Sequence, residues 1–431
     1  MKTIPGYLSK LPGYTGIQDV AKVGMSVDQC AALIGRFAAI KKRTAIIAAA
    51  HMTGAAEWEL KAALGRWLWE DATTYSRLEK RVTEMRASKA SIDKVLDYQL
   101  GDLLTEILHA PGPLELCVGF FEVLSPAFCA AIKTYMERTQ PLVDQPTIRL
   151  MKPILAEEEE RLITGRAFVE ALSQMDNGAK IREDWKNHFQ SFLHAAGGIL
   201  GDEPVTKPST PLKPRAAEDE FRLSREFLRD ARFETTITKS PPEFTKDALY
   251  DNMWGRSQEM TAAELMASVV YEWEDLPTDA FVDLARHCWD EVRHSLMGCA
   301  ALEAAGIPIN SFPSWIGYAH HTMNVPPPKR YAHLALATEA KLMAYPGGKR
   351  GAWEYLRDVA KHPLTTTFAD FDWADEVNHV GFGRKWLIEW HFKGNREEAR
   401  KVADETTAER EAYYAQLDKK PGESLSSSTS Y

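Results

Sequence analysis

From about Ser26 the apolar residues of this chain recur with a helical period: an Ala-rich run through residues 31–50, then Glu57-Trp58-Glu59-Leu60 onward to Arg86. Alternating stretches of the β type are scarce. A mostly apolar segment runs from Leu114 to Met136 with a break at Pro126, and another helical stretch from about Ile154 to Leu172. The pattern predicts an N-terminal helical bundle over residues 26–200. Before it, residues 1–25 hold Pro5, Gly6, Pro12 and Gly13 and read as an irregular arm. After it, four prolines with Ser and Thr in residues 201–218 preclude a regular helix, and Pro241-Pro242 closes a linker and connecting segment over residues 201–245. Helical periodicity resumes over residues 246–395. A C-terminal region, 396–431, follows, with a polar helical run from Arg396 to Leu417 and a Ser-rich tail expected to be disordered.

The second bundle carries charge where its pattern predicts burial. Trp289-Asp290-Glu291-Val292-Arg293-His294 and Trp373-Ala374-Asp375-Glu376-Val377-Asn378-His379 each place a carboxylate and an imidazole three residues apart, so both leave one helix face. Leu284, Ala285, Cys288, Leu296 and Met297 flank the first pair, and Trp373, Val377, Val380, Phe382 and Trp386 the second. Charged groups on an apolar face must be paired or coordinated. A dinuclear metal site in a four-helix bundle uses two Glu-x-x-His pairs plus one Glu from each of two further helices. Glu339 is the single acid in the apolar run Tyr331–Leu342, 37 residues before Glu376. Before Glu291 two acids compete, Glu259 and Glu264. If Thr278 caps the next helix after Pro277, the turn centres near residue 277 and the position level with Glu291 is about 263, which favours Glu264 and leaves Glu259 in reserve. Thr261-x-x-Glu264 also fits a capping box.

On these residues, positions 250–395 resemble a ferritin-like di-metal carboxylate domain, the family of rubrerythrins, ribonucleotide reductase small subunits and di-iron oxygenases. The resemblance implies an all-α, ferritin-like four-helix bundle with Glu264, Glu291, His294, Glu339, Glu376 and His379 as metal ligands. It also implies two iron ions, with manganese or a mixed Mn/Fe pair as substitutes, and O2 as co-substrate of an oxidase or oxygenase. Asp290 and Asp375 each precede a ligand Glu, so they point aside and can accept the outer N–H of a histidine on a neighbouring helix. Trp254, Tyr271, Trp273, Trp289, Trp353, Tyr355, Trp373 and Trp386 are placed to wall a cavity there, with core packing as their commoner role.

Composition narrows the surroundings. The 431 residues are 45% hydrophobic and 26% charged, with a net charge of −9 and a pI near 5.8. Such acidity argues against a nucleic-acid surface. No run is expected to reach the length of a membrane span, and the N-terminus lacks the apolar core of a signal peptide. A cytoplasmic protein is expected, with a small-molecule substrate, an electron donor of unspecified identity and, at most, a second copy in a homodimer as partners. Cys30, Cys117, Cys129, Cys288 and Cys299 read as buried thiols in a reducing compartment, Cys288 having a position from which it could face the site.

The N-terminal bundle also suggests a degenerate copy of the second. Glu57 and Glu84 repeat the 27-residue interval of Glu264 and Glu291, and Glu122 and Glu159 the 37-residue interval of Glu339 and Glu376. Ala87 and Leu162 stand where histidines belong, so no second metal site is expected. Two other functions compete with an oxygenase: a ferroxidase or iron-handling protein, and a helical structural protein with metal as a staple. The large extra helical half favours an enzyme over a storage shell.

Overall fold

The computed structural model describes residues 10–11, 15–94, 98–205 and 212–417. The chain is all-helical, with 72% of its residues in helices and 1% in strands. The strand pairings are two residues long, Lys10–Leu11 with Thr15–Gly16 and Thr235–Thr236 with Ser314–Trp315, too short to make a layer of their own. The Ser-rich tail and the arm's Pro5, Gly6, Pro12 and Gly13 lie outside the described residues.

The chain forms two compact units. The first comprises Met1–Ile47 and Glu70–Arg222, the second Ala48–Trp69 and Leu223–Tyr431. The boundary therefore differs from the expected linker. Helices α1 (Val27–Met52) and α2 (Trp58–Glu84) both cross it. Leu223 and Phe227 are buried, and the Leu228 and Asp230 amides donate to the Thr53 and Ala56 carbonyls. Those carbonyls lie in the loop after α1 and have no helical partner, so the strand-like segment satisfies them.

The first unit continues through α3 (Tyr98–Leu108), α4 (Pro113–Val118), α5 (Ser125–Arg138), α6 (Gln145–Leu172) and α7 (Gly178–Ala195). Pro126 does not break the apolar run. A π-helical stretch, Gly119–Leu124, joins α4 to α5, and Pro126 falls in the first turn of α5. Contrary to the sequence expectation, Pro113–Arg138 has the length and, at a mean hydropathy of 1.6, the apolarity of a membrane span. Its most apolar window is 72% buried within the protein, against α6 and α7. The acids proposed as a faded copy are not gathered here: Glu84 and Glu159 are exposed, and Glu57 belongs to the second unit. Among the charges buried instead are Lys41, Asp71, Glu158 and Arg161. Arg161 lies 2.7 Å from Asp71, and Lys41 pairs with Asp71 at 3.0 Å and with Glu158. Arg161 also reaches Glu70 at 3.1 Å, so two cations meet three carboxylates there.

The second unit contains α8 (Ala248–Ser257), α9 (Met260–Glu272), α10 (Thr278–Ala304), α11 (Pro327–Tyr331), α12 (Gly348–Asp358), α13 (Pro363–Phe382) and α14 (Arg396–Leu417). Asp247 caps α8 by accepting the Leu249 amide at 2.8 Å. α10 ends where Gly306, at φ +77°, reverses the chain: the Ile307 amide reaches back to the Leu302 carbonyl at 2.9 Å and the Gly306 amide to Glu303 at 3.0 Å. This paired closure needs a residue tolerant of positive φ. One side of α10, with Leu284, Ala285, Cys288, Val292 and Leu302, packs on α8 and α9. Gly298 lets the α8 backbone approach so closely that a Cβ would collide with the Ser257 amide. The other side of α10 is also buried, but by His287, Asp290, Glu291 and His294, against α13. Helix α10 is thus central, apolar on one face and ionic on the other.

Candidate metal centre

Four helical segments converge on that ionic face. Helix α10 presents His287, Glu291 and His294, a stripe one turn apart at each step; α13 presents Asp372, Glu376 and His379 with the same spacing. Glu339 ends a π-helical stretch, Ala332–Glu339, that continues α11. Glu259 stands at the junction of α8 and α9. Apart from Glu259, which keeps a quarter of its side-chain exposure, these groups are almost wholly buried.

Three overlapping donor groups result: His287, Glu291, Glu339 and His379; Glu259, His294 and Asp372; and Glu291, His294 and Glu376. Glu291 belongs to two of them, and its Oε1 faces all three histidines. It lies 3.6 Å from His287 Nε2, 3.5 Å from His379 Nδ1 and 3.9 Å from His294 Nδ1. His294 Nδ1 also faces Asp372 Oδ1 at 3.4 Å and Glu259 Oε2 at 3.5 Å, and His379 Nδ1 faces Glu339 Oε1 at 3.7 Å. Despite these neighbours both Nδ1 atoms, with Oε2 of Glu259, Glu339 and Glu376, lack a hydrogen-bond partner. Two atoms bonded to one cation at about 2.1 Å sit roughly 3.0–3.5 Å apart, so the orphaned atoms fit a shared ion. His287 Nε2 makes one close contact, 2.8 Å to Glu339 Oε1.

The far nitrogens are held crosswise. His379 on α13 faces Asp290 on α10, Nε2 to Oδ2 at 3.3 Å, and His294 on α10 faces Asp375 on α13 at 3.4 Å. A carboxylate there favours the proton on Nε2 and leaves Nδ1 as a lone-pair donor turned inward. Arg293 bonds both aspartates, at 2.7 Å to Asp375, and Arg286 lies 2.6 Å from Asp290. The outer pair is therefore balanced by two guanidinium groups.

The inner group is not balanced. Glu259, Glu291, Glu339, Asp372 and Glu376 face two fixed cations, Lys349 on α12 and Arg256 on α8, the latter 3.0 Å from Asp372. Three negative charges then remain for protons or metal to neutralise. The titrations follow. Burial works against charge on His294, but Asp372, Asp375 and Glu291 outweigh it and raise its pKa to about 9. His379 is likewise raised well above the usual imidazole range against burial, chiefly by Asp290 and Glu376. Burial pushes Glu259 up to about 7 despite Lys349. Burial works against charge on Glu376, but Lys349, His379 and His294 together outweigh it and hold the carboxyl well below the usual range.

Of the sequence candidates, Glu291, His294, Glu339, Glu376 and His379 meet in these groups, with Asp290 and Asp375 behind them. Glu264 does not. It is fully buried elsewhere, in a fork from Arg229 at 2.8 and 2.7 Å and a bond from Lys61. The reason is geometric. Helices α9 and α10 end and begin at Glu272 and Thr278, which centres the turn on residue 275; moving the centre back by two moves the level position back by four, from 263 to 259. Glu259, the reserve, takes the place beside His294. His287 and Asp372 were missed, although both lie four residues before a predicted ligand Glu, and extending each stripe back one turn would have found them. Lys349 gave no local signal. Cys288 turns away, its thiol donating to the Ala263 carbonyl at 3.3 Å. The rings beside the histidines are Tyr331, 5.8 Å from His287, and Phe382, 6.4 Å from His379. Of the predicted aromatics, Trp254 packs in a separate cluster with Met253, Ala301, Leu302 and Phe312, and Trp353 lies tilted against Trp373, ring centroids 5.8 Å apart. Comparisons of the chain with protein-family models, with curated proteins and with solved structures give no match.

Proposed function

We propose that these residues form a di-metal carboxylate centre within a ferritin-like set of four helical segments, and that the chain is a non-haem di-iron oxidase or oxygenase acting on a small organic substrate. The reading rests above all on Glu291 Oε1, which faces a ring nitrogen of all three histidines, two of them without a hydrogen-bond partner. Glu291 would bridge, with His287, Glu339 and His379 on one side and Glu259, His294, Asp372 and Glu376 on the other. Bound iron supplies the capacity to reduce O2, and manganese suits the same oxygen and imidazole donors. The residues supply the rest: Asp290 and Asp375 orient the imidazoles, and burial keeps bulk water from the ions. Anaerobic Fe(II) loading followed by O2 tests this. Two irons per chain, rapid O2 uptake and no mineral core are expected; iron that ignores O2 would leave only a structural staple, and a growing mineral an iron-handling protein.

Two further results are expected. Asp290→Asn keeps the side chain's shape but weakens the hold on His379, and metal affinity should fall by roughly 10–100-fold in a Mn(II) titration. Metal ligation also requires unprotonated histidine, whereas His294 in the metal-free chain titrates near 9. Affinity should therefore rise between pH 6 and pH 9, with proton release that calorimetry in buffers of different ionisation heat would detect. The same shift works oppositely on the metal-free fold. A histidine pKa raised above its unfolded value of about 6.5 stabilises below that pH, and the contribution is lost as pH climbs through 9. Metal-free protein should thus melt lower at pH 9 than at pH 6.5.

A further inference from the structure

The two sides of the centre are not equivalent. Lys349 Nζ lies 2.9 Å from Asp372 Oδ1, 2.8 Å from Glu376 Oε1 and 3.8 Å from Glu259 Oε1, with a tenth of its side chain exposed. No lysine or arginine reaches Glu291 or Glu339 among the described ion pairs on the other side, where the contacts are with His287, His294 and His379. The position of Lys349 is built in. It follows Gly347 and Gly348, at φ +105° and +56°, and a Cβ on Gly348 would collide with the Leu342 carbonyl, so only glycine permits the turn that starts α12 here. An ammonium group is compact and its stem flexible, so it can sit among carboxylates as a cation and also swing away.

We propose that Lys349 is an internal cation holding the carboxylates of the Glu259, His294, Asp372 and Glu376 side, so that the two metal positions fill in order. The side built from His287, Glu291, Glu339 and His379 takes the first ion. The second enters only as the ammonium leaves Asp372 and Glu376. Lys349 thereby sets how readily one bound ion becomes a pair. This inference rests on the two-ion reading above.

Mn(II) titration of the full chain, with bound metal quantified and the pair detected by its magnetic coupling in EPR, separates the two. In the natural protein the second ion should bind at least ~10-fold more weakly than the first, the scale of one opposite charge in contact with a buried acid. Lys349→Met should tighten the second step at least ~10-fold, so that coupled pairs form at lower Mn(II), while Lys349→Arg should keep the gap. Equal affinities in the natural protein, or an unchanged second step in Lys349→Met, would overturn the role of Lys349 and leave the two-ion centre intact. Absence of bound Mn(II) from all three proteins would overturn both. Should Lys349→Met not fold, the natural protein's two-step isotherm and Lys349→Arg decide.

Discussion

Replacing Glu291 with alanine should weaken metal binding on both sides of the centre. Its Oε1 faces a nitrogen of each of the three histidines, and it belongs to one donor group on each side, with His287, Glu339 and His379 and with His294 and Glu376, so each side loses a donor. Loss of a shared ligand should exceed the 10–100-fold typical of removing a hydrogen-bond partner behind a ligand. Glu339→Ala, by contrast, touches one donor group and should impair one position. The expected stability effect sharpens the test. Because Glu291 helps hold His294 charged in the metal-free chain, its loss removes a partner of that imidazolium, and metal-free Glu291→Ala should melt lower than the metal-free natural protein at pH 6.5, with the difference shrinking towards pH 9. Two ions per chain in Glu291→Ala would remove the basis for a bridged centre.

Glu264→Ala should do the opposite. Lys61 and Arg229 are both fully enclosed around this carboxylate, and Lys61 also donates to the Met52 carbonyl at 2.7 Å. Removing the anion strands two buried cations, and breaking a buried pair in this way costs about 3–5 kcal/mol. Lys61 provides a partial escape, since burial, opposed by Glu264, already lowers its pKa to about 8. Without Glu264 it should release its proton more readily, and the loss of stability should be smaller at pH 9 than at pH 7. Denaturant unfolding of the metal-free chain would measure this, and bound metal should stay at the natural value. A variant of full stability that lost an ion would return Glu264 to the ligand set.

Much of the site is legible from local pattern. A Glu and a His three apart inside an apolar helical run face the same way whatever the rest of the chain does, which is why Glu291, His294, Glu376 and His379 were found together. Glu339 was found because no other acid interrupts its apolar segment. The position next to each ligand Glu likewise implied that Asp290 and Asp375 point sideways, and each lies against a histidine of the opposite helix. Reading the same stripes one turn further back would have added His287 and Asp372. The supposed copy in the first half misled, because equal intervals between acids carry no information about burial: Glu84 and Glu159 are exposed, while Asp71, Glu79, Glu106, Asp144 and Glu158 are buried.

By itself, the sequence determined the helical class and the two carboxylate–imidazole stripes, since both follow from periodicity within single helices. Only the tertiary structure decided between Glu259 and Glu264, which lie five residues apart on either side of the level position. A two-residue error in the centre of one turn reverses that choice. The cations that settle the matter, Lys61 and Arg229 around Glu264 and Lys349 beside Glu259, come from segments far apart in the chain, and no local pattern encodes which carboxylate each will meet.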